Sequence, residues 1–259
     1  IDGETISITQ AEGSQTGTAF VQVADGGSDF KFTVRYDMYT GGGSGADGQC
    51  VNIGGNDLGG RVAENGVTQG VALCFDEWAN SGDHGVAIYY NAGGSDNSDS
   101  SRAGAIWENI APCNNRENCI PVSLYDDATW HTVELSITPM LNFGAQVRFS
   151  LDNGAYSGFG DIQYGFSMPT PTYLGFTART GGATNNHWVR RITTSNPPPP
   201  PLPTVVHASA FALSGSATSI GDVMKLTQVV NSQSGAAFAP IDGLTSAVPV
   251  NVRYWLYTG

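Results

Sequence analysis

The sequence predicts an all-β chain, a jelly-roll β-sandwich of two antiparallel sheets packed face to face, and three observations carry that expectation. Apolar residues recur at every second position in short runs, where a helix would repeat them every three or four. Glycine supplies 34 of the 259 residues, the punctuation that many tight turns need. Charged residues make up only 13%, and no stretch reads as a convincing helix. The length buries a core readily, and by itself it suits either one large sandwich or one and a half smaller ones.

Taken in order, the strands announce themselves by alternation. Phe30, Phe32, Val34 and Tyr36 fall on one face, and Lys31, Thr33 and Arg35 on the other. Val71, Leu73 and Phe75 repeat the pattern, as do Val86, Ile88 and Tyr90, then Val133, Leu135 and Ile137, then Val147, Phe149 and Leu151, and last Leu174, Phe176 and Ala178. Asp152-Asn153-Gly154 is a hairpin or bulge signal, and Pro169-Thr170-Pro171 reads as a loop that starts an edge strand. Glycines at 41–43, 54–55, 93–94 and 181–182 mark loop corners where φ is positive or backbones approach closely. No Walker or dinucleotide spacing accompanies them, which argues against a phosphate cradle.

The formal net charge of −12 leaves no basic stripe to neutralise phosphates, so neither nucleic acid nor an anionic membrane surface is an expected partner. No run approaches the roughly 20 apolar residues that span a bilayer, so no membrane insertion is expected of this segment. The chain opens Ile1-Asp2-Gly3 with neither Met nor a signal-peptide pattern, and the expectation is that it starts inside a longer or processed polypeptide. Of four cysteines, Cys113 and Cys119 enclose a short polar loop suited to a local disulfide. Bridged cysteines imply an oxidising, extracellular or cell-surface location.

Residues 219–259 repeat residues 1–41 without a gap at a constant offset of 218. Thr9-Gln10 returns as Thr227-Gln228, Ala19-Phe20 as Ala237-Phe238, and Val34-Arg35-Tyr36 as Val252-Arg253-Tyr254. Between the copies stands a proline run, Pro197, Pro198, Pro199, Pro200 and Pro201, then Leu202 and Pro203, with few backbone donors and fixed φ, expected as an extended polyproline II rod. The expected organisation is a first module over 1–195, a linker over 196–203 and, over 204–259, the N-terminal part of a second copy.

Three motifs occur in a fixed order: Gly45-Ala46-Asp47-Gly48; Phe75-Asp76-Glu77-Trp78-Ala79-Asn80 with Asp83-His84 behind it; and Leu174-Gly175-Phe176-Thr177-Ala178-Arg179-Thr180-Gly181, followed by His187-Trp188-Val189. In this order they resemble the L-type lectins, the legume and concanavalin A-like family. The resemblance implies a concanavalin A-like sandwich and a Ca2+ loop in which Asp76, the carbonyl of Trp78, Asn80 and Asp83 supply hard oxygen ligands. It also implies that Asp47, in an Ala-Asp turn that is often a cis peptide in the family, accepts hydrogen bonds from a sugar. Asn80 would donate to the same sugar, and Trp78 would stack on it. The family places a Glu, ligand to a second, transition metal, where this sequence has Cys74, so no transition metal is expected and His84 loses that role. Cys50 and Cys74 lie on strands that neighbour each other in the family's fold, which implies a second disulfide. Apart from the family, Asp126-Asp127 reads as a solvated turn leading into a strand, and His187-Trp188 as packed strand residues.

Laminarinase-type enzymes on the same sandwich carry a Glu-x-Asp-x-x-Glu strand. That pattern is absent here, and no Ser-His-Asp or Cys-His set is apparent, so an enzyme is not expected. The repeat and the rod suggest a non-enzymatic module of an extracellular structural or adhesive glycoprotein, assembling with other copies of itself into a filament or coat. The alternative is a working Ca2+-dependent lectin for cell-surface or matrix glycans. The proline run, with no Asn-x-Ser/Thr sequon in the chain, is similar in composition to hydroxyproline-rich algal and plant surface glycoproteins such as flagellar hair (mastigoneme) and cell-wall proteins. That likeness would make Pro197–Pro201 and Pro203 sites of hydroxylation and O-glycosylation.

Overall fold

The structure, a computed structural model, describes residues 5–55, 66–78, 85–91, 105–110, 120–140, 144–163 and 165–195, and four short strands between 212 and 238. Asn80, Asp83, Cys113, Cys119, Pro197–Pro201 and Pro203 lie outside the described residues. The chain divides into two compact units, 1–202 and 203–259.

Among the described residues the first unit has twelve strands: β1 (Thr5–Thr9), β2 (Thr16–Ala24), β3 (Phe32–Gly41), β4 (Gly48–Gly54), β5 (Gly70–Asp76), β6 (Gly85–Tyr90), β7 (Ala105–Ile110), β8 (Trp130–Met140), β9 (Gly144–Leu151), β10 (Tyr156–Ile162), β11 (Thr172–Arg179) and β12 (Asn186–Ser195). They form two six-stranded antiparallel sheets, ordered β1-β12-β3-β8-β9-β10 and β2-β11-β4-β5-β6-β7. The alternating residues explain why the sheets face each other. Phe32, Val34, Tyr36 and Met38 of β3, with Val133, Leu135 and Ile137 of β8, turn one apolar face inward. Val51, Ile53, Leu73, Phe75, Ile88, Leu174 and Phe176 of the second sheet meet that face in one continuous core.

On the outer face of the second sheet, Cys50 and Cys74 stand directly opposite each other on β4 and β5 and form a disulfide. With Val67, Ala72, Ala87 and Tyr89 they make a small second apolar cluster. One expectation fails in a minor way, since a single helical turn, α1 (Val122–Tyr125), follows Pro121. Four residues are too few to carry a periodic signal. Pro169-Thr170-Pro171 does not start an edge strand either. It leads through a cis Thr170–Pro171 bond into β11, which lies between β2 and β4. Its prolines cost no ladder hydrogen bond because they precede the strand.

In the second unit the described residues form two antiparallel pairs. β13 (Ala212–Gly215) pairs with β16 (Gly235–Phe238), and β14 (Thr218–Ile220) pairs with β15 (Val223–Lys225). Among the described residues no helix is long and apolar enough to cross a membrane.

Candidate functional site

Asp47 sits at the entrance to β4 behind a cis Ala46–Asp47 peptide. Its backbone ties three distant segments together. The Asp47 amide donates to the Arg179 carbonyl at 2.9 Å, at the end of β11, and its carbonyl accepts from the amides of Glu77 (3.0 Å) and Trp78 (3.3 Å), just beyond β5. The Arg179 Nε donates to Asp47 Oδ2 at 2.8 Å. A Cβ at Gly181 would come within 3.1 and 3.2 Å of the two Asp47 carboxylate oxygens, so glycine there keeps a side chain off a carboxylate that is itself only 8% exposed. Gly48, with φ of +154°, brings β4 against Phe75, where a Cβ would lie 2.4 Å from the carbonyl oxygen. The sequence thus brings its three motifs to one place.

Asp76 closes β5. Its Oδ1 accepts the Trp78 amide at 3.1 Å, and its carbonyl accepts the Tyr125 hydroxyl at 2.7 Å. Trp78 is 43% exposed, and its amide meets the Asp47 carbonyl. Of the residues expected at the site, then, Asp47, Asp76 and Trp78 come together, while Asn80 and Asp83 fall outside the described residues.

Sequence reasoning missed the buried network beneath them. The Glu77 and His187 side chains have no exposed surface, and His187 Nε2 lies 3.0 Å from Glu77 Oε1. A carboxylate facing that nitrogen fixes a proton on it. His187 Nδ1 is 2.6 Å from the Thr9 hydroxyl. Asn185 uses its amide nitrogen twice, donating to Glu77 Oε2 and Asp126 Oδ1, both at 2.8 Å. The Asp126 carboxyl is held above its ordinary range by burial first and by the Glu77 charge second. Glu77 therefore anchors the backbone whose amides hold Asp47.

This corrects the reading of Asp126-Asp127 as a merely solvated turn. Asp126 is part of the network, and Asp127 accepts from His131 Nε2 at 3.0 Å. His187 is a packed strand residue, as expected, but one held against a buried carboxylate. Trp188 stacks on Tyr39 with ring centroids 4.7 Å apart. The missed signal was alternation itself: His187 shares the inward row with Val189, and an inward histidine requires a polar partner.

The donors of the Asp76 segment are hard oxygens, a carboxylate and a main-chain carbonyl, the chemistry that suits Ca2+. Among the described residues no group of three or more His, Cys, Asp or Glu is placed to hold a metal. Cys74 is bonded to Cys50 and offers neither a carboxylate nor a thiolate.

No protein-family model matches the sequence, and no curated protein matches it. Solved structures do match. The exoplasmic/lumenal domain of VIP36 in its Ca2+/Man3GlcNAc-bound form is 17% identical, with 79% of this chain and 86% of that one covered at a TM-score of 0.56. Its metal-free form matches at 0.54 and 16% identity, over 75% of this chain and 80% of that one. The potassium-bound carbohydrate recognition domain of Emp46p matches at 0.53 and 12%, over 73% of this chain and 82% of that one. At such identities the likeness is one of fold, and the fold of this chain is that of the L-type lectin domains.

Proposed function

We propose that the first module is a non-enzymatic glycan-binding domain whose sugar site is the surface at Asp47 and Trp78. The observation that carries the reading is the fixation of Asp47 by two distant segments, the end of β11 and the turn after β5, with glycine at 181 against its carboxylate and Trp78, 43% exposed, hydrogen-bonded to its carbonyl. A carboxylate accepts from paired sugar hydroxyls, and an aromatic face covers the apolar side of a pyranose. The Asp76 carboxylate, the Trp78 carbonyl and the side chains of Asn80 and Asp83 would hold Ca2+, which would stiffen the loop that presents Trp78 and Asn80. The VIP36 domain, solved with Ca2+ and Man3GlcNAc, supports this reading, and the disulfide supports a secreted or lumenal setting.

The test is glycan-array binding by the 1–259 chain with Ca2+ and then with chelator. Asp47→Ala is expected to reduce binding by at least about tenfold, the scale of a lost charge-assisted hydrogen bond, with an unchanged circular dichroism spectrum. Equal binding by the variant would sink the assignment. The repeat at an offset of 218 residues favours a second, compatible reading, that copies associate into a filament or coat. A chain that sediments as a monomer at every concentration and ionic strength would rule that out.

A further inference from the structure

We propose that the free edge of β2 is an acceptor for an antiparallel strand of the Phe211–Gly215 type, the segment that precedes the second copy of the repeat. β2 ends the second sheet. It pairs with β11 on one side, and among the described residues no strand pairs with the other. Nine residues of edge, Thr-Gly-Thr-Ala-Phe-Val-Gln-Val-Ala, carry no charge and no proline, the devices by which proteins blunt an edge.

The side chains of this edge show what is missing. On β11 the buried residues Leu174, Phe176 and Ala178 stand opposite Val21, Ala19 and Gly17, so those three β2 positions form the core-facing row. Yet Val21 is 58% exposed while Leu174 opposite it is 2% exposed. The sandwich is open at Val21, whereas at Gly17 it is closed by Ile8 of β1, whose carbonyl oxygen a Cβ would meet at 1.8 Å. On the other face Phe20 is 59% exposed, with an edge-on contact to Tyr173.

The second copy indicates the occupant. By the offset of 218, β16 (Gly235–Phe238) is the counterpart of Gly17–Phe20. There it is paired, with Leu213 of β13 opposite Ala237, the counterpart of Ala19. A strand added to β2 in that register would set a leucine opposite Ala19. Two residues earlier in the sequence stands Phe211, and in a strand added to β2 that register, carried on, would set it opposite Val21. Main-chain hydrogen bonds would supply affinity and the two large apolar side chains specificity, as in strand addition generally. In the first module β11 already takes one edge of β2, so the free edge alone remains for such a strand.

The experiment adds a labelled synthetic peptide of residues 208–217 to the 1–259 chain, following anisotropy and amide hydrogen exchange. Saturable binding is expected, with slowed exchange at amides within Thr16–Val23. Leu213→Lys in the peptide, or Val21→Lys in the chain, should each weaken binding at least about tenfold, the scale of one buried aliphatic side chain. Val21 is exposed, so its replacement leaves the fold intact. Absence of binding overturns the proposal, as does binding indifferent to both substitutions or protection elsewhere than β2. None of these outcomes depends on whether the module binds glycans.

Discussion

A carboxylate and an imidazole without any exposed surface, Glu77 and His187, are a liability unless both are satisfied, because removing one leaves the other buried and unpaired. Here satisfaction is complete through Thr9 and Asn185. Glu77→Ala is therefore expected to cost about 3–5 kcal/mol in urea unfolding; a loss below about 1 kcal/mol would mean that water replaces the carboxylate. A second histidine behaves differently. Burial alone would depress His131, but hydrogen bonds to Asp152 and Asp127 overcome it and hold its pKa above the ordinary value. A raised folded value means stability fully present below about pH 6.5, the unfolded value, and lost as pH rises through the folded one. Against a His131→Leu variant, the parent should lose its relative advantage above pH 6.5 and keep it below. A parallel pH profile for the two chains would show that the contact contributes nothing. The same contact holds Asp127 below the carboxylate range, against the upward push of burial, so a further loss is expected in acid as pH falls through that depressed value.

At the scale of strands, legibility followed the side chain that faces inward. β3, β5, β6, β8, β9 and β11 each place branched or aromatic residues on the core face, and alternation found all six. β10 escaped because its pattern is inverted. Phe159 points outward, 52% exposed, beneath the Arg148 guanidinium at 5.4 Å, while the inward positions are Gly158 and Gly160. Those glycines make room for β7, since a Cβ at Gly158 would lie 2.4 Å from the Trp107 ring and one at Gly160 2.7 Å from the Ile106 side chain. Bulk supplied by one strand is matched by absence on another, which single-strand alternation cannot see. Gly158→Ala should thus destabilise by about 1–3 kcal/mol through overpacking, read as a lower melting temperature. A neutral result would mean that Trp107 has space to withdraw.

Across the whole molecule the site was legible only where local motifs carried it. Asp47, Asp76 and Trp78 stand in short recognisable runs, whereas Asn185 reaches Glu77 across 108 residues and Asp126 across 59, separations that only the closed sandwich bridges. The charge of the chain bears on what that site accepts. A net −12 over 259 residues sets up a repulsive field toward polyanions, and Arg179, a cation at the candidate site, is already paired with Asp47 at 2.8 Å. A glycan bearing sulfates or uronates would meet that field with no free cation at this carboxylate among the described residues, while a neutral oligosaccharide meets hydrogen-bond acceptors and an indole, neither of which salt screens. Affinity for a neutral glycan is accordingly expected to change less than about twofold between roughly 0.05 and 0.5 M salt, where the Debye length falls from about 14 to about 4 Å. A sulfated analogue should bind more weakly, with the deficit shrinking as salt rises. Titration calorimetry at the two salt concentrations decides it: tighter binding of the sulfated sugar, weakened by salt, would place an unpaired cation at the site and refute the neutral-glycan reading.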